Sequence, residues 1–264
     1  MPRTLEPETS TLTERFERDG FAFTPPILPP DLVRRAVERM DAVIQGEYAT
    51  GRAPCSRCWN PGDDPQKICK IDNAQVCDPV ILELISHPEI GRWAAEATGA
   101  RMVQVWSTQL LYKPPGGETA GNVGWHQDRQ YWKYWDGEVF TAWLALCDID
   151  SAIGPVTFVR GSHRWGELSG GDFFGGDLNV LRGKMTIPNG AAWEEVEGLL
   201  PAGAMSLHHR LTIHGSGPNR TLRPRRSFAL HLRTEKSGRV ASVPDGGYAS
   251  HLDEPGYCPV IYRA

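Results

Sequence analysis

The sequence predicts an α+β protein that is mainly β. Apolar residues at helical spacing are concentrated in the first 100 residues, whereas most later apolar segments alternate or are rich in β-branched residues, as strands are. Connections rich in glycine and proline separate these later segments. Helices first and many short strands afterwards indicate a domain whose second half is a β-sandwich or barrel.

Four segments near the amino terminus are predicted as helices, because each combines helical spacing with a start or stop signal. They cover residues 9–19, which Gly20 ends, a segment that starts at Pro29-Pro30-Asp31, residues 79–86, and residues 88–97, which Gly99 closes. Residues 21–23 are predicted as a short strand. Residues 48–66 are rich in Gly, Pro, Asp and Cys and are predicted as a loop.

The later half is predicted to supply most strands, at residues 102–112, 139–149, 156–159, 205–207 and 227–232. The connection 166–190, which holds seven glycines, is either a lid near the barrel mouth or a variable surface loop. No stretch has the composition of an interdomain linker. We therefore expect one domain over residues 1–264, with a mainly helical part at 1–100, a core at 101–235 and a carboxy-terminal extension at 236–264.

The composition argues against several classes of protein. Of 264 residues, 40% are hydrophobic and 23% charged, which are ordinary values for a folded chain. The net charge of −4 gives no general attraction for nucleic acid. No apolar stretch approaches the roughly 18 residues of a membrane helix, and residues 1–15 lack the apolar core of a secretory signal. We expect a soluble, cytoplasmic protein with neither membrane nor nucleic acid as partner.

Six cysteines raise the question of a structural metal site. Cys55 and Cys58 have the Cys-x-x-Cys spacing of zinc ligands, and Cys69 and Cys77 follow nearby. A zinc ion bound by these four thiolates is one interpretation. Because the second pair lacks this spacing, reduced and mostly buried thiols of an intracellular protein are the simpler interpretation.

The most informative segment is Trp125-His126-Gln127-Asp128. On an extended chain the side chains of His126 and Asp128 leave the same face, so both can reach one cation. His214 is the best candidate for a third ligand. Two histidines and one carboxylate on one face of an octahedron leave three positions open, which suits non-haem Fe(II). By itself the His-x-Asp pattern is common, and hydrogen bonds to backbone at a strand end would also explain it.

Arg225 strengthens the interpretation as a metal site. It lies 11 residues after His214 at the start of an apparent strand and shares a face with Ser227 by strand alternation. A buried arginine beside a hydroxyl is a receptor for a carboxylate, which the guanidinium binds through two hydrogen bonds. The alternative is that Arg225 belongs to a solvated basic run with Arg220, Arg223 and Arg226.

Five segments together resemble the phytanoyl-CoA dioxygenase family of Fe(II)/2-oxoglutarate-dependent oxygenases. They are Phe-Glu-Arg-Asp-Gly-Phe at 16–21, Trp-His-Gln-Asp at 125–128, Thr-Ala-Trp-Leu-Ala-Leu at 141–146, Gly-Pro-Val-Thr-Phe-Val-Arg-Gly-Ser-His at 154–163, and His-Gly-Ser-Gly-Pro-Asn at 214–219 followed by Arg225. The resemblance covers residues 12–235. The sequence departs from it at Arg160, where the family often has proline, and over residues 48–78, so the substrate cannot be inferred from the family.

The resemblance implies a double-stranded β-helix, a cupin-like jelly-roll barrel with amino-terminal helices packed on it and iron at its mouth. The residues that match the family's iron ligands are His126, Asp128 and His214. Arg225 matches the arginine that binds the distal carboxylate of 2-oxoglutarate. Further cosubstrate contacts are expected at Ser216, Trp143, Gln109, Lys70 and Ser227. His208 and His209 lack the motif that surrounds His214 and its distance to Arg225, so they are not predicted as ligands.

The predicted function is an Fe(II)- and 2-oxoglutarate-dependent dioxygenase that hydroxylates an unactivated C–H bond, with succinate and CO₂ as coproducts. Because Asp128 is present, we expect hydroxylation, with desaturation, ring closure or epimerisation as other outcomes. Aromatic residues at 131–135 suit a small, partly apolar metabolite, for example in natural-product biosynthesis. A metal-dependent hydrolase or isomerase on the same barrel and a catalytically silent binding protein are the alternatives. The expected partners are this small molecule and O₂, and the oligomeric state is open.

Overall fold

The structure of the protein is a computed structural model that describes residues 10–116 and 121–264. A large and a small antiparallel sheet lie on either side of a cavity, and helices cover the outer face of the large sheet. This mainly β arrangement confirms the predicted jelly roll. In the described part of the chain, no helix is both long and apolar enough to cross a membrane.

The described residues form five α-helices, which are α1 (Leu12–Asp19), α2 (Pro30–Ile44), α3 (Pro79–Ile85), α4 (Pro88–Thr98) and α5 (Leu178–Lys184). The first four correspond to the helices predicted from the sequence. Helix α5 lies inside the glycine-rich connection 166–190, for which the sequence predicts no helix. Asp177 begins it, because its carboxylate accepts hydrogen bonds from two backbone N–H groups of the first turn.

The ends of α1 show why its sequence forms a helix. The Thr11 hydroxyl accepts a hydrogen bond from the Glu14 backbone, and the Glu14 carboxylate accepts one from the Thr11 backbone. Gly20 ends the helix with φ 83°, a left-handed conformation that favours glycine. Residue 9, where the predicted helix starts, lies outside the described residues, as does most of the segment 1–15, in which the sequence indicates no secretory signal.

The strands of the described residues follow in chain order. They are β1 (Phe21–Phe23), β2 (Ser56–Arg57), β3 (Cys69–Asp72), β4 (Met102–Lys113), β5 (Val123–His126), β6 (Trp135–Asp136), β7 (Val139–Ala145), β8 (Val156–Val159), β9 (Glu195–Glu197), β10 (Met205–His209), β11 (His214–Ser216), β12 (Arg225–Thr234), β13 (Gly238–Arg239) and β14 (Val260–Arg263). The large sheet has the order β1-β10-β7-β12-β4-β3-β2, and β14 also pairs with β4. The small sheet has the order β5-β11-β8-β9, and β6 pairs with β13.

Two local predictions are wrong. The predicted loop 48–66 contains β2, which is 2 residues long and exists because it pairs with β3, itself a partner of β4. The strand predicted at 139–149 ends at Ala145. Beyond that residue the chain leaves the ladder, although the Leu146 N–H still donates to the Arg226 carbonyl and Ile149 forms an isolated bridge with Leu200.

The central strands of the large sheet separate two environments. Leu110 on β4 and Phe228 on β12 are direct partners, are fully buried and belong to the core that includes helices α2–α4. Gln109 and Ala229 form the next pair along the same two strands and face the cavity. Because successive side chains of a strand point to opposite faces, one face of the sheet packs in the core and the other lines the cavity.

Candidate metal centre and its cavity

The register of the small sheet brings two of the predicted ligands together. Strands β5 and β11 run antiparallel, and His126 is the direct partner of His214. Their ring centroids lie 4.2 Å apart. Asp128 begins a short 3-10 turn immediately after β5. Because Gln127 keeps an extended backbone, Asp128 reaches the same side as His126, as strand alternation predicts.

The backbone orients both imidazole rings. Nδ1 of His126 lies 2.8 Å from the Gly124 carbonyl oxygen, and Nδ1 of His214 lies 3.0 Å from that of Thr212. Since a carbonyl only accepts, each Nδ1 carries a hydrogen and each Nε2 presents a lone pair. Burial lowers the pKa of both histidines, which favours the neutral form that binds metals.

Asp128 is oriented through one of its two oxygens. Thr141 Oγ1 donates a 2.8 Å hydrogen bond to Oδ2, and Nε2 of His208 lies 3.2 Å from the same oxygen. Burial alone would raise the pKa of this carboxyl, but the nearby His214 and His208 outweigh burial and lower it. The other oxygen, Oδ1, lies 3.8 Å from Nε2 of both His126 and His214.

These three side chains can hold a metal ion. Their ligand atoms lie within 4.8 Å of one another, and all three residues are buried. Two nitrogens and one oxygen on one side of an ion leave the opposite side open for other ligands, a geometry that suits non-haem iron. Among the residues that the structure describes, no second group of histidines, cysteines or carboxylates has such an arrangement.

The cysteines considered for a zinc site are not brought together. Cys55 and Cys58 are exposed, whereas Cys69 and Cys77 are buried, and all four are free. Burial raises the pKa of Cys69 and of Cys77 to about 12, so both remain thiols at neutral pH. The simpler interpretation, reduced thiols, therefore describes this segment better than a zinc site.

The triad opens into a cavity of about 360 Å³ between the two sheets. One end of this cavity is cationic. Arg225 is only 1% exposed, and its Nη1 donates a 2.8 Å hydrogen bond to Ser216 Oγ. Its guanidinium lies over the Trp143 ring, 5.3 Å from the centroid. Arg225 is therefore not part of a solvated basic run, and its neighbour Arg226 faces the other way and pairs with Asp41.

The remaining predicted cosubstrate contacts differ in position. Gln109 and Lys70 both line the cavity. Lys70 is already paired, because its Nζ lies 2.6 Å from Asp72 Oδ1. Ser227 is fully buried, but its hydroxyl donates a 3.3 Å hydrogen bond to the Leu111 carbonyl. Ser227 is thus the one predicted contact that the structure does not bring to the cavity wall.

The opposite end of the cavity is aromatic. Trp106 and Trp132 pack there edge to face, with ring centroids 5.2 Å apart. The carboxy-terminal extension contributes Tyr248, whose hydroxyl donates to Asp72. The connection 166–190 also reaches the site, since the Gly124 backbone donates to the Phe173 carbonyl and the Phe173 ring lies 5.2 Å from that of His126.

Several residues at the site are not predicted from the sequence as site residues. Thr141 stands two positions before Trp143 on β7, so strand alternation is a signal that would have placed both in the cavity. His208 is not one of the three clustered groups, yet it lies against the second oxygen of Asp128. Tyr248 has no comparable signal, because its segment is irregular and comes to the cavity only through the tertiary fold.

Both the sequence and the structure are similar to those of known proteins. The family model described as Phytanoyl-CoA dioxygenase (PhyH) matches residues 16–227. A probable alpha-ketoglutarate-dependent hypophosphite dioxygenase of Stutzerimonas stutzeri is 26% identical over 177 residues, which are 64% of this chain and 58% of that protein. The peroxisomal phytanoyl-CoA dioxygenase of Homo sapiens is 24% identical over 243 residues, 87% of this chain and 70% of the human one. The chain thus spans about three fifths of the first of these relatives.

Solved structures share the fold. The non-heme alpha ketoglutarate dependent carbocyclase SnoK from nogalamycin biosynthesis superposes with a TM-score of 0.68 at 22% identity, covering 92% of this chain and 91% of its own. The non-heme monooxygenase ThoJ superposes with a TM-score of 0.65 at 26% identity, covering 87% of this chain and 79% of its own.

Proposed function

Since the chain belongs to the phytanoyl-CoA dioxygenase family, we propose that it is an Fe(II)- and 2-oxoglutarate-dependent oxygenase of a small, partly apolar molecule. One observation carries this proposal. A buried triad of two histidines and a carboxylate opens into the same cavity as a buried arginine that pairs with no carboxylate among the described residues. A cavity that contains both a metal-binding group and a carboxylate receptor suits an oxo acid that chelates the metal at one end and carries a second carboxylate at the other.

The three side chains fit a ferrous ion. His126 Nε2, His214 Nε2 and Asp128 Oδ1 are the atoms that would bind it, because the other nitrogen of each ring and the other carboxylate oxygen already have partners. The bound iron, with 2-oxoglutarate and O₂, supplies the oxidising chemistry, with succinate and CO₂ as coproducts. The chain supplies position and a dry site.

The cationic end suits the distal carboxylate of 2-oxoglutarate. Both hydrogen bonds that Arg225 donates there leave from Nη1, to Ser216 Oγ and to the Gly154 carbonyl, and its Nε has no partner among the described residues. The edge of the guanidinium that carries Nε is thus available for a carboxylate. The Trp143 ring packs against the Arg225 guanidinium, and Gln109 lies on the same face of the sheet.

The aromatic end favours a neutral, ring-bearing substrate. Its charged residues are already paired, Lys70 with Asp72 and Asp245 with Arg239. Stacking on tryptophan and tyrosine rings is therefore the main interaction on offer. A metabolite of natural-product biosynthesis fits this description, and SnoK comes from such a pathway. Hydroxylation is the proposed outcome, with desaturation, ring closure and epimerisation as the other products to look for.

The test is succinate formation by protein reconstituted with Fe(II) under argon and then given 2-oxoglutarate, O₂ and a library of ring-bearing metabolites. We expect succinate that depends on both Fe(II) and 2-oxoglutarate and rises with a true substrate, whose product gains one oxygen by mass spectrometry. His126→Ala and Arg225→Gln should abolish succinate formation, whereas Arg226→Gln, on the neighbouring residue that faces away, should not.

Three other results would point to the alternatives. Turnover of a library compound with Zn²⁺ or Mn²⁺ in the absence of 2-oxoglutarate would indicate a hydrolase or isomerase. Iron binding without succinate formation from any compound would indicate a binding protein. Zinc that is lost in Cys58→Ser but retained in His126→Ala would indicate a scaffold organised by the cysteines.

A further inference from the structure

Two buried cations lie side by side on neighbouring strands of the large sheet. Lys113, at the end of β4, is the direct partner of Arg225, at the start of β12. Lys113 is 0% exposed and Arg225 is 1% exposed. Like charges at directly opposed positions of a sheet are destabilising, and a buried charge without a counter-ion is more so. An anion bound nearby would therefore stabilise this pair of cations.

A single hydroxyl connects the two cations. Lys113 Nζ donates a 2.6 Å hydrogen bond to Ser216 Oγ, and Arg225 Nη1 donates a 2.8 Å hydrogen bond to the same oxygen. Ser216 in turn donates its only hydrogen to the Gly154 carbonyl, 2.9 Å away. With both of its lone pairs and its hydrogen in use, the hydroxyl is fixed, and it fixes Nη1 of Arg225.

No carboxylate of the described residues pairs with either cation. The other acceptors of Lys113 are the backbone carbonyls of Ser216 and Gly217, and that of Arg225 is the Gly154 carbonyl. Burial and the neighbouring Arg225 lower the pKa of Lys113, and burial lowers the pKa of Arg225 to about 10. An anion at this end of the cavity would stabilise the charged form of both groups.

Lys113 itself does not line the cavity, whereas Ser216 and Arg225 do. Lys113 lies behind Ser216. A ligand in the cavity would therefore interact with the charge of Lys113 at a distance, and would contact the Ser216 side chain that Lys113 holds, but it would not contact Lys113 itself. In the chain sequence Lys113 opens a Lys-Pro-Pro segment, and nothing in that local pattern distinguishes it from a surface lysine at a strand end.

We propose that Lys113 is a positioning residue for the cosubstrate: together with Arg225 it makes the cationic end of the cavity a two-cation compartment that selects a dicarboxylate over a monocarboxylate. This inference rests on the proposed function, in which that dicarboxylate is 2-oxoglutarate. Lys113 holds Ser216 and, through it, the guanidinium, and its charge offsets the second negative charge of the ligand.

The test measures binding, so that no turnover is needed. Protein loaded with Ni²⁺ is titrated calorimetrically with 2-oxoglutarate, with glutarate, which has no keto group, and with 2-oxopentanoate, which has no distal carboxylate. The variants are Lys113→Met, Lys113→Gln, which can donate hydrogen bonds but has no charge, and Lys113→Arg. Lys67→Met, at an exposed lysine, is the matched control.

We expect Lys113→Met and Lys113→Gln to weaken 2-oxoglutarate and glutarate by about 10- to 100-fold, because both remove a buried positive charge close to the ligand's second carboxylate, and to leave 2-oxopentanoate within about 3-fold. Lys113→Arg should restore much of the loss. Without ligand, Lys113→Met should melt no lower than wild type, because it removes a buried like-charge pair. In the turnover assay the KM for 2-oxoglutarate should rise while kcat changes little.

A purely structural role gives a different pattern. It predicts a lower melting temperature for unliganded Lys113→Met and equal weakening of the binding of all three ligands, and either result overturns the proposal, as does unchanged binding.

A second test concerns a counter-ion from the chain itself, because Glu118 lies outside the described residues. If Glu118→Gln raises the affinity for glutarate, that carboxylate is the counter-ion and the proposal is wrong. Wild-type binding of glutarate but not of 2-oxoglutarate would overturn the proposed function and leave the assignment of Lys113 standing.

Discussion

Thr141 determines which oxygen of Asp128 remains for a ligand. Its hydroxyl donates to Oδ2, so Oδ1 is the oxygen that faces the two histidines. The same hydroxyl oxygen lies 3.2 Å from Nδ1 of His231. Because the Thr141 hydrogen is already donated to Asp128, Nδ1 of His231 must be the donor in this second contact. One threonine thus connects the candidate metal centre to the aromatic end of the cavity.

Thr141→Val should loosen metal binding without changing the shape of the site. The substitution keeps the volume of the side chain and removes the hydrogen bond to Asp128. We expect the metal affinity to fall about 10- to 100-fold, the usual effect of losing a partner of a ligating group. Competition with a chromogenic chelator for Co²⁺ measures this. Thr141→Ser, which keeps the hydroxyl, is the control, and equal affinities for Thr141→Val and wild type would contradict the prediction.

Sequence patterns predict single residues when a motif joins chemistry to spacing. His126 and Asp128 satisfy such a motif, and the structure brings them together with His214. Lys113, Thr141 and Tyr248 do not, since each acquires its contacts from strand register or from a distant segment. Register is a property of paired strands, so it cannot be inferred from one strand alone.

At the scale of elements, α1 is attached to the rest of the barrel through Asp19. The carboxylate of Asp19 binds Arg18 and Arg160, and the second of these pairs joins the helix to the residue after β8. Burial alone would raise the pKa of Asp19, but these two arginines outweigh it and lower the pKa below 3.8. The ion pair is therefore fully formed at neutral pH.

Asp19→Asn should destabilise the protein by about 1–3 kcal/mol at neutral pH, since it removes the carboxylate that joins Arg18 and Arg160. Because the folded pKa is below the unfolded one, the contribution of Asp19 is present above about pH 4 and is lost as the pH falls through the folded pKa. Urea unfolding at a series of pH values should show the gap from wild type closing in acid. Asp31→Asn, on the exposed face of α2, should have little effect, and a gap independent of pH would refute the assignment.

The glycine-rich connection 166–190 depends on close contact with β5. A Cβ added at Gly124 would lie 2.1 Å from the Asp172 carbonyl oxygen, whereas one added at Gly176, in the connection itself, would meet nothing within 4 Å. Gly124→Ala should therefore displace this segment, at a cost of about 1–3 kcal/mol, and leave the sheets folded. We expect faster proteolysis within residues 166–190 and no such change in Gly176→Ala. Equal cleavage of both variants would show that the contact does not hold the segment.

The helices, the long strands and the short strands at 21–23 and 156–159 were predictable, whereas the two short strands that carry the metal triad were not. Helices α1–α4 each have apolar spacing and a capping box or a proline in the first turn, and β4 and β12 are 12 and 10 residues long, enough for alternation to show. Strands β5 and β11 have only 4 and 3 residues, and their position comes from pairing with each other. The site lies on these two strands, so its chemistry was predictable from motifs but its geometry was not.

At the scale of the whole molecule, metal binding should stabilise the folded state. The triad is assembled only in the folded chain, so a bound ion adds its binding free energy to folding. At a free metal concentration 100 times the dissociation constant, the gain is about 2.7 kcal/mol. Differential scanning calorimetry with and without Ni²⁺ measures it as a rise in Tm. His214→Ala should abolish the rise while Cys58→Ser retains it, and a rise retained in His214→Ala would place the ion elsewhere.

Because the strands of the large sheet have one face in the core and one in the cavity, substitutions on the two faces should have different effects. Leu110 is buried in the core, while its neighbour Gln109 lines the cavity. Substitutions at alternate positions of β4 and β12 can therefore alter ligand preference while leaving the helical layer intact. Such mutational independence lets a single scaffold diversify its chemistry, and it marks the inward positions as the rational targets for a focused library.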